Sequence, residues 1–162
     1  MYAAWAAEGS AQDVAVNFGA AGNVGLTVAK LREAKRILMA GELDLDFEVL
    51  TCAVKAKQHD NLLAEIQVIS LDFNERPVMQ EGKVTRFLGI NFKHTELIGN
   101  DGSNDEVPVY AKSGMCLGVW NETSADVTQR KDLAGLPWQV YVFGTYGATR
   151  KEAKKIVRID CA

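Results

Sequence analysis

A chain of 162 residues, 48% of them hydrophobic and 24% charged, is long enough for one domain with its own core and too apolar for wholesale disorder. No apolar run approaches the roughly eighteen residues of a membrane-spanning helix. The 18 basic and 21 acidic residues leave a net charge of -3, which excludes bulk attraction to nucleic acid and leaves only local basic faces.

Residues 1–8 lack the basic start and continuous apolar centre of a secretory signal, so synthesis in a cytoplasm is expected. Residues 1–25 are rich in Ala and Gly and read as a flexible lead-in, with a faint strand signal at Val14–Phe18. Gly19, Gly22 and Gly25 do not have the spacing of a dinucleotide or phosphate loop. The first helix is predicted from about Val28 to Ala40. Thr27 is its N-cap, Gly41 its left-handed C-cap, and Val28, Leu31, Ala34, Ile37 and Leu38 form an apolar stripe at helical spacing. Lys30, Arg32, Lys35 and Arg36 occupy the remaining surface, either as a solvated basic face or as a face for phosphates.

Glu42, Asp44, Asp46 and Glu48 recur at every second position. In an extended segment all four carboxylates leave one side, which reads as a charged strand edge rather than a metal site. Phe47 to Val54 continues as a strand, and a short helix is predicted from about Gln58 to Glu65 with Leu62 and Leu63 buried. His59 and His94, the only histidines, fit neither a zinc motif nor a nucleophile signature, so they support no catalysis. Val68–Phe73 reads as a strand and Asn74–Pro77 as a turn. Val84–Phe92 reads as one strand with Leu88, Ile90 and Phe92 on one face, and with Gly89 allowing a close approach on the other. The loop Gly99–Glu106 resembles a calcium loop in composition only, because Glu106 and then Val107 stand where, counting from Asp101, that loop requires glycine.

Val109–Ala111 and Met115–Trp120 are expected to be buried, with Trp120 and Trp138 in the core or at an interface. Cys52, Cys116 and Cys161 are odd in number, far apart and set among aliphatic residues. Each therefore reads as a small buried hydrophobe in a reducing compartment. The closing arms are predicted to form a hairpin with a longer loop. Trp138–Phe143 is apolar on both alternating faces and should be covered on both sides. In Lys155–Cys161, Val157, Ile159 and Cys161 alternate with Arg158 and Asp160 to give one wet face.

Three segments stand in order: Leu26–Leu38, then Gly82 through Arg86–Phe92, then Gly147–Arg150 with Ile156–Ile159. Their succession, over about residues 26–161, resembles the C-terminal part of the major capsid proteins of tailed bacteriophages. The resemblance implies an α+β fold of mixed, mostly antiparallel sheets with a long spine helix. Residues 1–25 would be a flexible or remnant segment and 26–162 a single domain, with the spine at 27–40 and an axial-type part at about 84–138. It implies a non-enzymatic coat subunit that associates with copies of itself around double-stranded DNA in the virion after synthesis in the host bacterial cytoplasm, with no cofactor, no metal and no membrane partner. Lys30, Arg32, Lys35 and Arg36 would then face the packaged DNA by nonspecific contact, and Glu42, Asp44, Asp46, Glu48, Trp120 and Arg150 would lie at subunit interfaces. The family's N-terminal arm and extended loop are missing before residue 26. A shortened form, a processed product or a degenerate prophage gene is therefore expected, remaining monomeric or forming small oligomers. A nanocompartment or gene-transfer-particle shell shares the implied fold. The reading of another class is a cation- or small-ligand-binding α+β module or enzyme, using the Glu42–Glu48 carboxylates or the Asp101–Glu106 loop.

Overall fold

The structure is a computed structural model that describes residues 12–65, 68 and 82–162. Its main body is a six-stranded sheet with helices on one face. In chain order the strands are β1 (Gln12–Val14), β2 (Leu50–Val54), β3 (Arg86–Phe87), β4 (Ile90–His94), β5 (Asp105–Ala111) and, after an inserted hairpin, β8 (Ile156–Cys161). They are arranged β1-β8-β5-β2-β4-β3. The β1–β8 and β2–β4 pairs are parallel, and the β8–β5, β5–β2 and β4–β3 pairs antiparallel. Helices α1 (Val28–Ala40) and α2 (Ala56–Leu63) complete the body. The fold is therefore mixed α+β, mostly sheet. Val68, the one described residue of the strand expected at 68–73, is helical rather than extended, and buried; the rest of that strand and the turn at 74–77 lie outside the described residues.

Helix α1 has the predicted bounds for the predicted reasons at its start. Thr27 accepts the backbone N–H of Lys30 at 3.4 Å, and Val28, Leu31, Ala34 and Leu38 are buried. Its end differs. Gly41 has φ -78°, and Glu42 takes the left-handed conformation instead, at φ 64°. Glu42 N–H then donates to Met39 O at 3.0 Å and Leu43 N–H to Leu38 O at 3.3 Å, a Schellman closure in which the buried Leu43 seals the last turn. Glycine is needed at 41 for another reason, since a Cβ there would lie 3.0 Å from the carbonyl oxygen of Lys154. With thirteen residues, α1 is about 20 Å long, so the long spine helix expected from the resemblance is not among the described residues.

One core runs from α1 through Leu50, Cys52, Val54, Ile90, Phe92, Val107, Val109, Val157, Ile159 and Cys161. Strand β8 has the expected single wet face, where Arg158 pairs with Asp13 at 2.8 Å, Glu106 at 3.0 Å and Asp160 at 3.2 Å and so ties β1, β8 and β5 together. The lead-in is not wholly loose, because β1 joins the sheet and Val14 belongs to the core.

Two expectations are corrected. The segment 84–92 is a tight hairpin rather than one strand: Leu88 and Gly89 both have positive φ, 52° and 80°, and turn β3 back onto β4. The acidic run 42–48 is a series of turns rather than a strand edge, so its carboxylates diverge. Asp44 accepts the N–H of Asp46 at 3.0 Å, whereas Glu48 lies 3.6 Å from Lys155.

Candidate subunit interface

Between β5 and β8 the chain leaves the body as two long antiparallel strands, β6 (Met115–Gln129) and β7 (Trp138–Arg150), which form a separate two-stranded sheet. At about 3.3 Å per residue the thirteen residues of β7 reach some 43 Å. The root is anchored: Lys151 N–H donates to Gly114 O at 2.9 Å and Lys155 Nζ to Ser113 Oγ at 3.0 Å, joining the turns that flank the hairpin. At the tip Arg130 N–H donates to Pro137 O at 2.9 Å, an Arg130–Asp132 ion pair braces the loop, and Gly135 and Leu136 have positive φ. Thus β7 pairs with β6, and the closing hairpin of β7 with β8 expected from the sequence does not exist.

Register fixes the two faces of the ribbon. Trp138 stands opposite Gln129, Val140 opposite Val127 and Val142 opposite Ala125, giving one almost wholly apolar face. Tyr141 and Phe143 share the other, their rings stacked with centroids 5.5 Å apart. Neither face is covered. From Cys116 to Gly147 every residue is exposed except the half-buried Asn121 and Ser124. Among the described residues, twelve of the seventeen large apolar side chains left exposed lie between Leu117 and Tyr146. Such a concentration marks an interaction surface rather than ordinary scatter.

The expected burial of 115–120 and of Cys116 is therefore overturned, as is a core position for the two tryptophans: Trp120 is 90% exposed and Trp138 70%. Cys52 and Cys161 are buried as expected, and burial pushes both thiols up, that of Cys161 to about 12. The register slips between Val119 and Asn121 and between Asn121 and Ser124. Both extra residues fall on β6, and Trp120 is the first of them, thrown outward by the bulge. Arg150 ends β7 at the root, half-buried opposite Met115.

The four basic residues of α1 do not form one face. Lys30 is fully buried, and its Nζ donates to the carbonyls of Val24 at 2.7 Å and Asp160 at 2.8 Å, a clamp between helix and sheet. Burial pushes its pKa down, against the nearby Cys161 and Asp160. It cannot meet DNA. Lys35 donates to Leu88 O at 2.9 Å, Arg36 pairs with Glu33 at 2.5 Å, and Arg32 is exposed.

The handles for ligand chemistry are also dispersed. His59 accepts the N–H of Val84 at 3.1 Å, and His94 lies 2.9 Å from Glu96; both border a cleft of about 500 Å³ beside α2. Asp101 accepts the N–H groups of Ser103 and Asn104, which hold its pKa below the usual aspartate range. Among the described residues no three His, Cys, Asp or Glu side chains are grouped to hold a metal ion.

A bare apolar hairpin on a closed body is a feature of proteins that pack beside others. The family model that matches residues 4–162 is that of phage capsid protein. The chain belongs to the phage capsid protein family. Membership points to a structural role in the virion rather than to catalysis. The fold is similar to a chain of Mycobacterium phage Che8 (TM-score 0.70, 11% identity, 92% of this chain and 53% of that one). It is similar also to a chain of the bacteriophage PhiM1 mature capsid (TM-score 0.60, 11% identity, 83% and 45%). A third is the capsid of an empty GTA particle (TM-score 0.58, 13% identity, 94% and 55%). At such identities the likeness is one of fold, and the chain spans about half the length of these structures. No curated protein matches the sequence.

The sequence contained the signal for this surface. A strand apolar on both faces needs a cover on both sides, and β7 has that pattern. Only the assumption that the cover comes from the same fold was misplaced.

Proposed function

We propose that this chain is a structural subunit of an icosahedral phage or prophage shell around double-stranded DNA, made in the host cytoplasm, and that the β6–β7 hairpin is a surface on which it meets other copies. The observation that carries this is the family match combined with an exposed apolar ribbon on an otherwise closed body. Many modest, symmetry-related contacts hold a shell that no single contact could. Trp120 and Arg150, both on the hairpin, belong to that surface. Of the acidic residues, Glu42, Asp44 and Asp46 remain free for a neighbouring copy more than Glu48, which Ser113 and Lys155 hold well below the usual carboxylate range. On α1, Arg32 and Arg36 are what is left of a basic face for nonspecific phosphate contacts.

Protein analysis of purified phage-like particles from the host tests the reading. This chain should be among the most abundant components, at hundreds of copies relative to a tail protein. Particles that lack it would overturn the proposal.

A further inference from the structure

The hairpin's two outer edges differ. On β6 both extra residues of the irregular register interrupt the edge, and Glu122 and Asp126 stand on the strand. Bulges and charges are the usual protections of an exposed edge. Strand β7 has none of them: from Trp138 to Thr149 it contains no charged residue and no proline, and neither extra residue of the irregular register lies on it. The other outer edges of the described sheets, β1 and β3, are only three and two residues long. A two-stranded ribbon by itself is marginal in water, so the long unguarded edge of β7 is where a further strand adds most.

We propose that the outer edge of β7 pairs with β7 of a second copy of this chain, antiparallel about a two-fold axis, joining two hairpins into one four-stranded sheet. This rests on the capsid-subunit reading only in taking a second copy as the occupant. Antiparallel pairing of a strand with itself always sets residues of the same parity opposite one another. Trp138, Val140 and Val142 of both copies therefore join in one apolar face, while Tyr141 and Phe143 join in the other. No like charges meet along the seam, because the strand carries none before Arg150. The contact is isologous and closes at two copies.

In the lone hairpin every second amide of β7 bonds to β6 and the alternate ones point outward. Amide hydrogen exchange on the intact chain, at concentrations where sedimentation shows association and again where it is dissociated, therefore reads the seam directly. The outward amides between Trp138 and Thr149 should slow by about tenfold or more on association. Val142→Lys should abolish the dimer, whereas Thr128→Lys on β6 should leave it intact. Association with outward amides that exchange as fast as in the dissociated chain would overturn the edge pairing, as would a chain monomeric at every concentration. Neither result touches the particle composition on which the capsid-subunit reading is tested.

Discussion

The six-stranded body and the β6–β7 hairpin are built from similar residues and end in opposite states. In the body each apolar set has a second layer: Val157, Ile159 and Cys161 lie in the core beneath α1, while Arg158 and Asp160 keep the far face wet. The hairpin has Trp138, Val140 and Val142 in the same alternation and nothing above them. Hydrophobicity thus sets what a strand needs, and the presence of a second layer sets whether it is met within the chain. Variants that separate the two regions should move either unfolding or association and leave the other nearly still.

The largest effect on unfolding is expected from Lys30→Ala. It removes a buried side chain and leaves the carbonyls of Val24 and Asp160 without their donor, at a cost of about 2–4 kcal/mol. Urea unfolding monitored in the far ultraviolet measures it. A change below about 0.5 kcal/mol would show that Lys30 does not clamp helix to sheet, while association should be unchanged either way.

Next comes the polar cluster between α2 and β5. Asp105 accepts Lys55 Nζ at 2.5 Å and Gln58 Nε2 at 2.7 Å. Burial disfavours its charge, but Lys55, Gln58 and Asn100 outweigh burial and hold its pKa below the usual 3.8. The folded state therefore releases the proton more readily than the unfolded state. The resulting stability is fully present above the ordinary aspartate pKa and is lost as pH falls through the lowered value. Asp105→Asn should cost about 1–2 kcal/mol at pH 7, and the gap from the unaltered chain should narrow on acidification to pH 3. Asp160, whose carboxyl burial pushes up, works in the opposite sense. The difference between the two proteins, rather than either pH profile alone, thus reports Asp105. A gap that stays constant with pH would remove the carboxylate from this role.

What could be read from the sequence follows the same division. Helix α1 was legible to the residue because Thr27 and the apolar stripe are local signals, and β8 was legible because its alternation states which face is wet. The burial of Lys30 was not, since one of its acceptors is a carbonyl 130 positions away. The turn at Leu88–Gly89 was hidden because leucine rarely takes positive φ. Strand β7 was recognised, but its partner was assigned to the neighbouring arm although Gly135 and Pro137 marked the turn toward β6. The hairpin's need for a cover on both faces was legible, but not that this chain leaves it bare, because burial is a property of the layer above a strand.

A smaller effect is expected from Gly89→Ala. Gly89 lies at φ 80°, and a Cβ there would come 3.7 Å from Lys35 Nζ, an ordinary contact. The cost is thus one of backbone conformation, about 1 kcal/mol, without a steric term. A much larger loss in urea unfolding would mean that the β3–β4 turn is packed more tightly than this spacing allows.

The smallest expected effect on unfolding separates the two regions most sharply. Trp138 is 70% exposed in the single chain, so Trp138→Ser removes little that the fold itself buries and should change urea unfolding of the dissociated chain by less than about 0.5 kcal/mol. If the apolar face of the ribbon is covered by a neighbouring copy, the same substitution removes a large aromatic anchor from the contact, and losses of 2 kcal/mol or more, about thirtyfold in dissociation constant, are common at such positions. Sedimentation equilibrium reads that change directly. A substitution that weakened unfolding and association equally would show that the hairpin folds as part of the body. An effect on association alone would show that its hydrophobic residues act between chains.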